Sequence, residues 1–212
     1  MPPPDPATPP PTHPLTSVEQ LARRLDDPRL RIVDCRWYLG RPGAGLEAYG
    51  AGHLPGAIHL DVDTDLTAVD GPGRHPLPDP TWFAARLGAA GIGPDSSVVA
   101  YDDLGGWVAA RLWWMLDALG HRDVAVLDGG IAAWTAAGLP LTGEVPRYPA
   151  TDLRLAGDWA RTIERDALRS RLGSLTLLDA RAGPRYRGEI EPIDAVAGHI
   201  PTAISAPTDG NL

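Results

Sequence analysis

The sequence predicts an α/β protein with a parallel sheet covered by helices on both faces, as one complete domain plus an incomplete second copy. Two observations support this fold class. Short apolar strands alternate with amphipathic helices between Arg31 and Ala137, which is typical of a parallel sheet with helical crossovers. Segments from the first half then return near the end of the chain, and such self-similarity indicates a repeated unit.

The first elements follow a proline-rich segment. Met1–Pro14 contains eight prolines and almost no bulky apolar residue, so we predict a disordered tail over residues 1–14. Ser17 and Gln20 form a capping-box pattern that predicts a short helix. Arg31–Cys35 and Ala57–Leu60 are apolar runs of strand length.

The remaining elements of the first domain, residues 15–141, centre on one βα unit. Asp79-Pro80 predicts a helix start. Ser97–Leu119 combines a buried strand, a glycine-containing turn and an amphipathic helix. Val124–Leu127 is a further strand, and Ile131–Ala137 a helix stopped by glycine and proline.

The second part of the chain repeats the first. Ile32–Arg36 reappears as Leu177–Arg181, and Gly52–Ile58 reappears as Gly198–Ile204. Two matches at nearly one offset predict a tandem duplication, with a linker over 142–157 and the start of a second domain over 158–212. We expect a helix from Trp159 to Leu172 in this second copy, which ends before its equivalent of the central βα unit.

The turn after the central strand has the shape of an anion site. Asp102–Gly106 joins a strand to a helix, where backbone N–H groups face outward. Asp102 and Asp103 repel an anion, and neither carries a thiol or a hydroxyl. The turn therefore has the shape of a site without its nucleophile.

Composition excludes several functional classes. The net charge of −8 and the absence of lysine argue against nucleic-acid binding and against Schiff-base chemistry. No apolar run reaches membrane-helix length and the N-terminus lacks a secretory signal, so we predict no membrane partner and a cytoplasmic location. The single cysteine excludes internal disulfides, and His59, His75 and His121 lie at no metal-ligand spacing.

Together the motifs identify a family. The chain resembles two-domain sulfurtransferases of the rhodanese type, which use thiosulfate or 3-mercaptopyruvate. The resemblance rests on Asp34–Trp37, Tyr49 with Gly52–Ala57, Gly73–Pro78, Ala109–Trp114, Val126–Gly130 with Trp134 and, in the second copy, Asp179–Arg181, Arg185–Gly188 and Gly198–Ala203.

This resemblance implies a rhodanese-like fold, no cofactor, and a cysteine persulfide that carries sulfane sulfur from the donor to a thiophilic acceptor. Arg185 matches the arginine that binds the donor anion. The catalytic cysteine belongs to the second domain's loop, which is absent here, so we expect the chain alone to be inactive. The alternatives are a non-catalytic binding or regulatory module, with a protein partner covering the incomplete domain, or one half of a split enzyme that binds the small sulfur-donor anion when completed.

The other notable residues have structural interpretations. We expect Cys35 to be a buried, inert packing residue, and His53 and His199 to brace equivalent turns through ring hydrogen bonds. Asp34–Arg36 and Asp179–Arg181 are predicted ion pairs. Arg185 has an alternative as a surface partner of Glu189 or Glu191, and Thr202, which replaces a glycine of the first copy, is expected to strain its turn.

Overall fold

The computed structural model describes residues 14–208. The chain divides into two compact units, Met1–Ala160 and Arg161–Leu212, and each is described by itself. The predicted disordered tail lies, apart from Pro14, outside the described residues. No helix in residues 14–208 is long and apolar enough to cross a membrane.

The first unit is built on a five-stranded sheet in which every neighbouring pair is parallel, in the order β1-β5-β4-β2-β3. Its strands are β1 Leu15–Thr16, β2 Leu30–Asp34, β3 Ala57–His59, β4 Ser97–Tyr101 and β5 Val124–Leu127. Its helices are α1 Val18–Ala22, α2 Ala44–Ala51, α3 Pro80–Ala89, α4 Ala109–Ala118 and α5 Gly130–Ala136. The parallel α/β architecture predicted from the sequence is confirmed.

Helices cover both faces of this sheet because alternate strand residues are apolar on both sides. On one face, Val33 belongs to a buried cluster with Phe83 of α3 and Leu112 of α4. On the other face, Ile32 packs in a second cluster with Trp134 of α5. Burial on two faces explains why the strands read as continuous apolar runs.

The helix starts follow the sequence signals. The Ser17 hydroxyl accepts a hydrogen bond from the Gln20 N–H, and the Gln20 side chain accepts one from the Ser17 N–H, which confirms the capping box. The Asp79 carboxylate caps α3 by accepting bonds from the N–H groups of Thr81 and Trp82. Helix α2 has no such start signal in the sequence, because its alanine- and glycine-rich stretch shows no clear apolar face.

The segment after α5 runs in irregular conformation along the first unit. Thr142 pairs with His53 in an isolated antiparallel bridge, and Leu153 is buried. The Trp159 ring stacks on Trp114 at 5.8 Å between ring centroids. The helix expected from Trp159 is therefore wrong at its start, since this tryptophan serves as a packing residue and the next helix begins only at Arg165.

The second unit contains a small parallel pair of strands. Its elements are α6 Arg165–Ser170, β6 Leu177–Asp179, α7 Gly183–Arg187 and β7 Ala203–Ser205. Among the described residues, β6 pairs with β7 alone. Thr202, just before β7, has φ 72°, where the equivalent Gly56 of the first unit has φ 75°. The expected strain is confirmed, because a β-branched residue in this region is a steric outlier.

Candidate functional site

A buried ion pair holds the end of β2 in the first unit. Arg36 Nη2 lies 2.6 Å from Asp34 Oδ2 and also donates to the Gly52 carbonyl at 2.8 Å. The Tyr101 hydroxyl donates to the same Asp34 carboxylate at 2.7 Å. The predicted ion pair is confirmed, and it ties β2, β4 and the Gly52 turn together. Burial and the neighbouring Asp34 charge raise the pKa of Tyr101 well above its ordinary value.

A stacked histidine braces the following turn. The His53 ring lies on the Tyr49 ring, with centroids 3.8 Å apart. Its Nδ1 contacts the Tyr49 carbonyl at 2.8 Å and its Nε2 the Glu144 carbonyl at 3.0 Å. Both ring nitrogens thus face backbone carbonyl oxygens, which confirms the predicted turn-bracing role.

The second unit has the same contacts at the ends of β6 and β7. Arg181 Nη2 lies 2.6 Å from Asp179 Oδ2 and 2.6 Å from the Gly198 carbonyl oxygen. The Tyr186 and His199 rings stack with centroids 3.9 Å apart. Hydrogen bonds from Arg181 hold the pKa of Asp179 below its ordinary value. The predicted ion pair and the ring hydrogen bond of His199, to the Tyr186 carbonyl, are confirmed; the duplication itself stays a prediction.

The turn between β4 and α4 is an anion cradle occupied by the protein's own carboxylate. Asp102 Oδ1 accepts hydrogen bonds from the N–H groups of Leu104 and Gly106, and Oδ2 from those of Val108 and Ala109, all at 2.8–2.9 Å. Asp102 is completely buried. Asp102 was predicted to repel an anion from this turn, whereas its own carboxylate is the anion that the turn binds.

Cys35, the single thiol of the sequence, directly follows β2, and its N–H donates to the carbonyl of Tyr101, the residue before Asp102. It is completely buried and unpaired with another cysteine. Burial, reinforced by the charges of Asp34, Asp102 and Asp65, raises the pKa of the Cys35 thiol well above its ordinary value. The predicted burial of Cys35 is confirmed, while its inertness stays a prediction.

Arg185 lies in α7 among carboxylates. Its Nη2 is 2.7 Å from Glu191 Oε1 and 2.8 Å from Asp194 Oδ2. Hydrogen bonds from Arg185, and from the backbone of Asp194 and Ile193, lower the pKa of Glu191 to about 2. Of the two carboxylates considered from sequence, Glu191 is the partner, whereas Glu189 pairs with Arg187. Binding of a donor anion by Arg185 stays a prediction.

One further arrangement was missed from the sequence. His75 Nε2 lies 3.1 Å from Asp63 Oδ1, and its ring stands edge-on to Trp37. His75 has φ 53°, the left-handed region, and Arg111 binds its carbonyl oxygen at 2.9 Å. Such conformations often occur at functional sites, and an imidazole beside a carboxylate can accept and release a proton. The only sequence signal was the Gly73–Pro78 motif.

No three His, Cys, Asp or Glu side chains in residues 14–208 are grouped so as to hold a metal ion. The three aspartates after β3 illustrate why. Asp63 is engaged by Trp37 and His75, and Asp65 by Arg86 at 2.6 Å.

Comparison with known proteins agrees with this geometry. A family profile described as "Rhodanese-like domain" matches residues 17–137. A probable 3-mercaptopyruvate sulfurtransferase of Pseudomonas aeruginosa is 48% identical over 204 residues, covering 93% of this chain and 72% of the relative. The human 3-mercaptopyruvate sulfurtransferase is 35% identical over 206 residues, covering 91% of this chain and 68% of the relative.

Solved structures give the same result. The SseA 3-mercaptopyruvate sulfotransferase of Escherichia coli has a TM-score of 0.81 and 29% identity, covering 92% of this chain and 75% of that one. The 3-mercaptopyruvate sulfurtransferase of Leishmania major has a TM-score of 0.79 and 32% identity, covering 93% of this chain. The present chain spans 56% of the Leishmania chain. This chain belongs to the rhodanese-like family of 3-mercaptopyruvate and thiosulfate sulfurtransferases.

Proposed function

We propose that the chain takes part in sulfur transfer from thiosulfate or 3-mercaptopyruvate to a thiophilic acceptor, but that these 212 residues alone do not catalyse it. The observation that carries the proposal is that neither of the two possible nucleophile positions holds an accessible thiol. The only thiol, Cys35, is completely buried, and the N–H cradle of the β4–α4 turn is filled by the Asp102 carboxylate.

The chemistry explains why both facts matter. A thiolate must attack the transferable sulfur of the donor, so that a new S–S bond forms. In thiosulfate the S–S bond breaks and its electron pair leaves with sulfite; in 3-mercaptopyruvate the C–S bond breaks and its electron pair leaves as the enolate of pyruvate, which takes up the proton of the donor thiol. An acceptor thiolate then attacks the outer sulfur and regenerates the enzyme thiolate. The nucleophile must be ionised and accessible. Cys35 is neither, since its raised pKa keeps it protonated.

Arg185 is proposed to bind the donor anion once a thiol is supplied. Its guanidinium lies in a half-buried position, where a charge-assisted hydrogen bond to sulfonate or carboxylate is stronger than in open water. Because Glu191 and Asp194 already engage Nη2, an incoming anion has to share or displace the outer of these contacts. Asp194 is that outer contact, since its side chain is far more exposed than that of Glu191.

The test is a sulfur-transfer assay on the purified chain. With thiosulfate and cyanide, or with 3-mercaptopyruvate and a dithiol, we expect no turnover above the buffer rate. Cys35→Ser should behave identically. Turnover at an enzymatic rate that Cys35→Ser abolishes would contradict the proposal, because it would show that the buried thiol reacts.

A non-catalytic binding or regulatory module is the second candidate, favoured by the self-occupied Asp102 cradle. Stoichiometric co-purification with a partner that adds no sulfur-transfer activity would support it. A split enzyme differs in its outcome, since there activity appears only when this chain is mixed with a polypeptide that supplies the thiol. In that case Arg185→Ala should raise the KM for the donor, while Arg187→Ala, at a more exposed side chain that pairs with Glu189, should not.

A further inference from the structure

The irregular segment that follows α5 is fastened to the rest of the first unit at three places. We call residues 142–151 of this segment the strap. At its start, Thr142 exchanges two backbone hydrogen bonds with His53, each of 2.9 Å. Further along, the Tyr148 hydroxyl and the Thr151 N–H donate to backbone carbonyls of the first unit. The strap is therefore anchored at its start, near its middle and at its end.

The His53 ring makes the contact at the start of the strap unusual. Its Nδ1 lies 2.8 Å from the Tyr49 carbonyl oxygen, and its Nε2 lies 3.0 Å from the carbonyl oxygen of Glu144 in the strap. Both distances are typical of N–H···O hydrogen bonds. A neutral imidazole has one N–H and one lone pair, so it can donate to only one of these carbonyls and would turn a lone pair towards the other. An imidazolium donates to both.

The surroundings of His53 favour this cation. Complete burial of the side chain opposes a charge, but three contacts offset that cost. Each carbonyl accepts a charge-assisted hydrogen bond. Tyr49 belongs to the last turn of α2, where the helix dipole favours a cation. Its ring also lies nearly parallel to the imidazole, with centroids 3.8 Å apart and an angle of 11° between the planes, which adds cation–π attraction.

Other ionisable groups lie on the elements packed around this turn. They are Asp34, Arg36, His59, Tyr101, Glu144 and Tyr148. Asp34 and Arg36 form the buried ion pair, whose charges cancel. Burial raises the pKa of Tyr49 and of Tyr101, so both phenols stay neutral. The one arginine of this group is therefore compensated and does not oppose a charge on His53.

From these contacts we propose that His53 is a doubly protonated imidazolium in the folded first unit, and that loss of one ring proton releases Glu144, which makes the start of the strap a pH-sensitive latch. The latch is closed while both nitrogens carry protons. When the pH rises and one proton is lost, one carbonyl faces a ring lone pair. The Tyr49 contact lies within a local turn, so the contact to the distant strap opens. The anchors at Tyr148 and Thr151 involve no histidine and stay closed.

NMR of the histidine rings tests the first half of the proposal. In the full chain with isotope-labelled histidine, a long-range proton–nitrogen spectrum distinguishes an imidazolium from either neutral tautomer. The His53 signals are assigned through their contacts with the Tyr49 ring protons. At about pH 7.5, where a free histidine with a pKa of about 6.5 is mostly neutral, we expect both His53 nitrogens to carry protons.

Amide exchange tests the second half. Protection factors, which remove the intrinsic effect of pH on exchange, are measured for Thr142 at the latch and for Thr151 at the end of the strap. The pH is raised from about 7 until the His53 ring loses a proton. Protection of Thr142 should then fall about tenfold, because a hydrogen bond to a charged group is lost. Protection of Thr151 should not change.

Two glutamine variants separate the latch from a general loss of structure. His53→Gln cannot carry the charge, so Thr142 should be weakly protected at every pH. His199→Gln alters the equivalent residue of the second unit, whose exposed ring contacts the Tyr186 carbonyl through Nδ1, and it should leave Thr142 unchanged. Unchanged protection of Thr151 shows that the first unit of each variant is folded. The two measurements on the parent chain decide the question even when His53→Gln does not fold.

Three results would overturn the inference. The first is a neutral His53 ring near neutral pH. The second is loss of a ring proton with no change in the protection of Thr142. The third is retention of both protons until the first unit unfolds, since the latch would then never open in the folded protein. None of these measurements involves sulfur transfer, so failure of the proposed function and failure of the latch are distinguishable.

Discussion

Replacing Asp102 by alanine removes the anion on which the β4–α4 turn is built. Four backbone N–H groups donate to this one carboxylate, and the residue is completely buried. An unsatisfied buried donor costs about 1–3 kcal/mol. Water entering the vacated space recovers part of that cost, so we expect Asp102→Ala to lower the free energy of unfolding by about 3–4 kcal/mol.

Two further variants calibrate this value. Asp102→Asn keeps one carbonyl oxygen and should lose about 2 kcal/mol, because the new NH₂ group faces two donors. Asp103→Ala removes an exposed carboxylate whose hydrogen bond is to the Tyr38 hydroxyl, and it should cost at most about 0.5 kcal/mol.

Urea unfolding followed by tryptophan fluorescence isolates the relevant transition, since all seven tryptophans lie in the first unit. A lower midpoint with an unchanged m-value would show a stability change of the folded unit. Asp102→Ala within about 0.5 kcal/mol of the parent would refute the interpretation that the carboxylate occupies an anion cradle.

Three other perturbations follow from the geometry. Thr202→Gly should stabilise the second unit by about 1 kcal/mol, because it removes the positive-φ strain, and amide exchange in β7 measures this gain. The reverse change, Gly56→Thr, should destabilise the first unit. Faster amide exchange in Thr202→Gly would contradict the prediction. Burial lowers the folded-state pKa of His121, so the unfolded state binds more protons at acidic pH. The free energy of unfolding should therefore fall as the pH drops through about 6.5 and below. A His121→Gln variant that shows the same fall would exclude His121 as its cause. The pKa of Glu191 is lowered to about 2 by Arg185, so its stabilising effect is present above pH 4.5 and lost towards pH 2; a carboxyl NMR titration with an ordinary midpoint would contradict that pairing.

Local signals in the sequence predicted local structure well. The Ser17–Gln20 capping box and the Asp79-Pro80 start need only residues within one helical turn, so they could be recognised without knowledge of the fold. The strand β4 and helix α4 were recognised because both faces of the sheet are buried, which makes the strand continuously apolar. The ion pair of Asp34 and Arg36 is likewise two residues apart.

Features that depend on distant partners could not be predicted. Strand β1 has two residues and exists through pairing with β5, more than a hundred positions away. Trp159 continued an apparent helix pattern, yet its indole donates to the Pro78 carbonyl and it stacks on Trp114. Asp102 was interpreted by charge alone, because the N–H groups that bind it become visible only when the turn is built.

The His75–Asp63 pair shows the same limit for function. The two residues are 12 positions apart, at no recognisable spacing, and in the sequence His75 stands out only as part of the Gly73–Pro78 motif and as a histidine at no metal-ligand spacing. Its positive φ and the Arg111 contact to its carbonyl are properties of the folded loop. The Gly73–Pro78 motif contains His75 and can be noticed in the sequence, but its contact with Asp63 depends on the fold.

The central claim, that no thiol of these 212 residues can take up sulfur, is tested most directly by intact-protein mass spectrometry after incubation with thiosulfate or 3-mercaptopyruvate under native conditions. We expect an unchanged mass, with Cys35 becoming reactive only in denaturant. A native protein that gains the mass of one sulfur atom, mapped to Cys35 and discharged by cyanide, would contradict it.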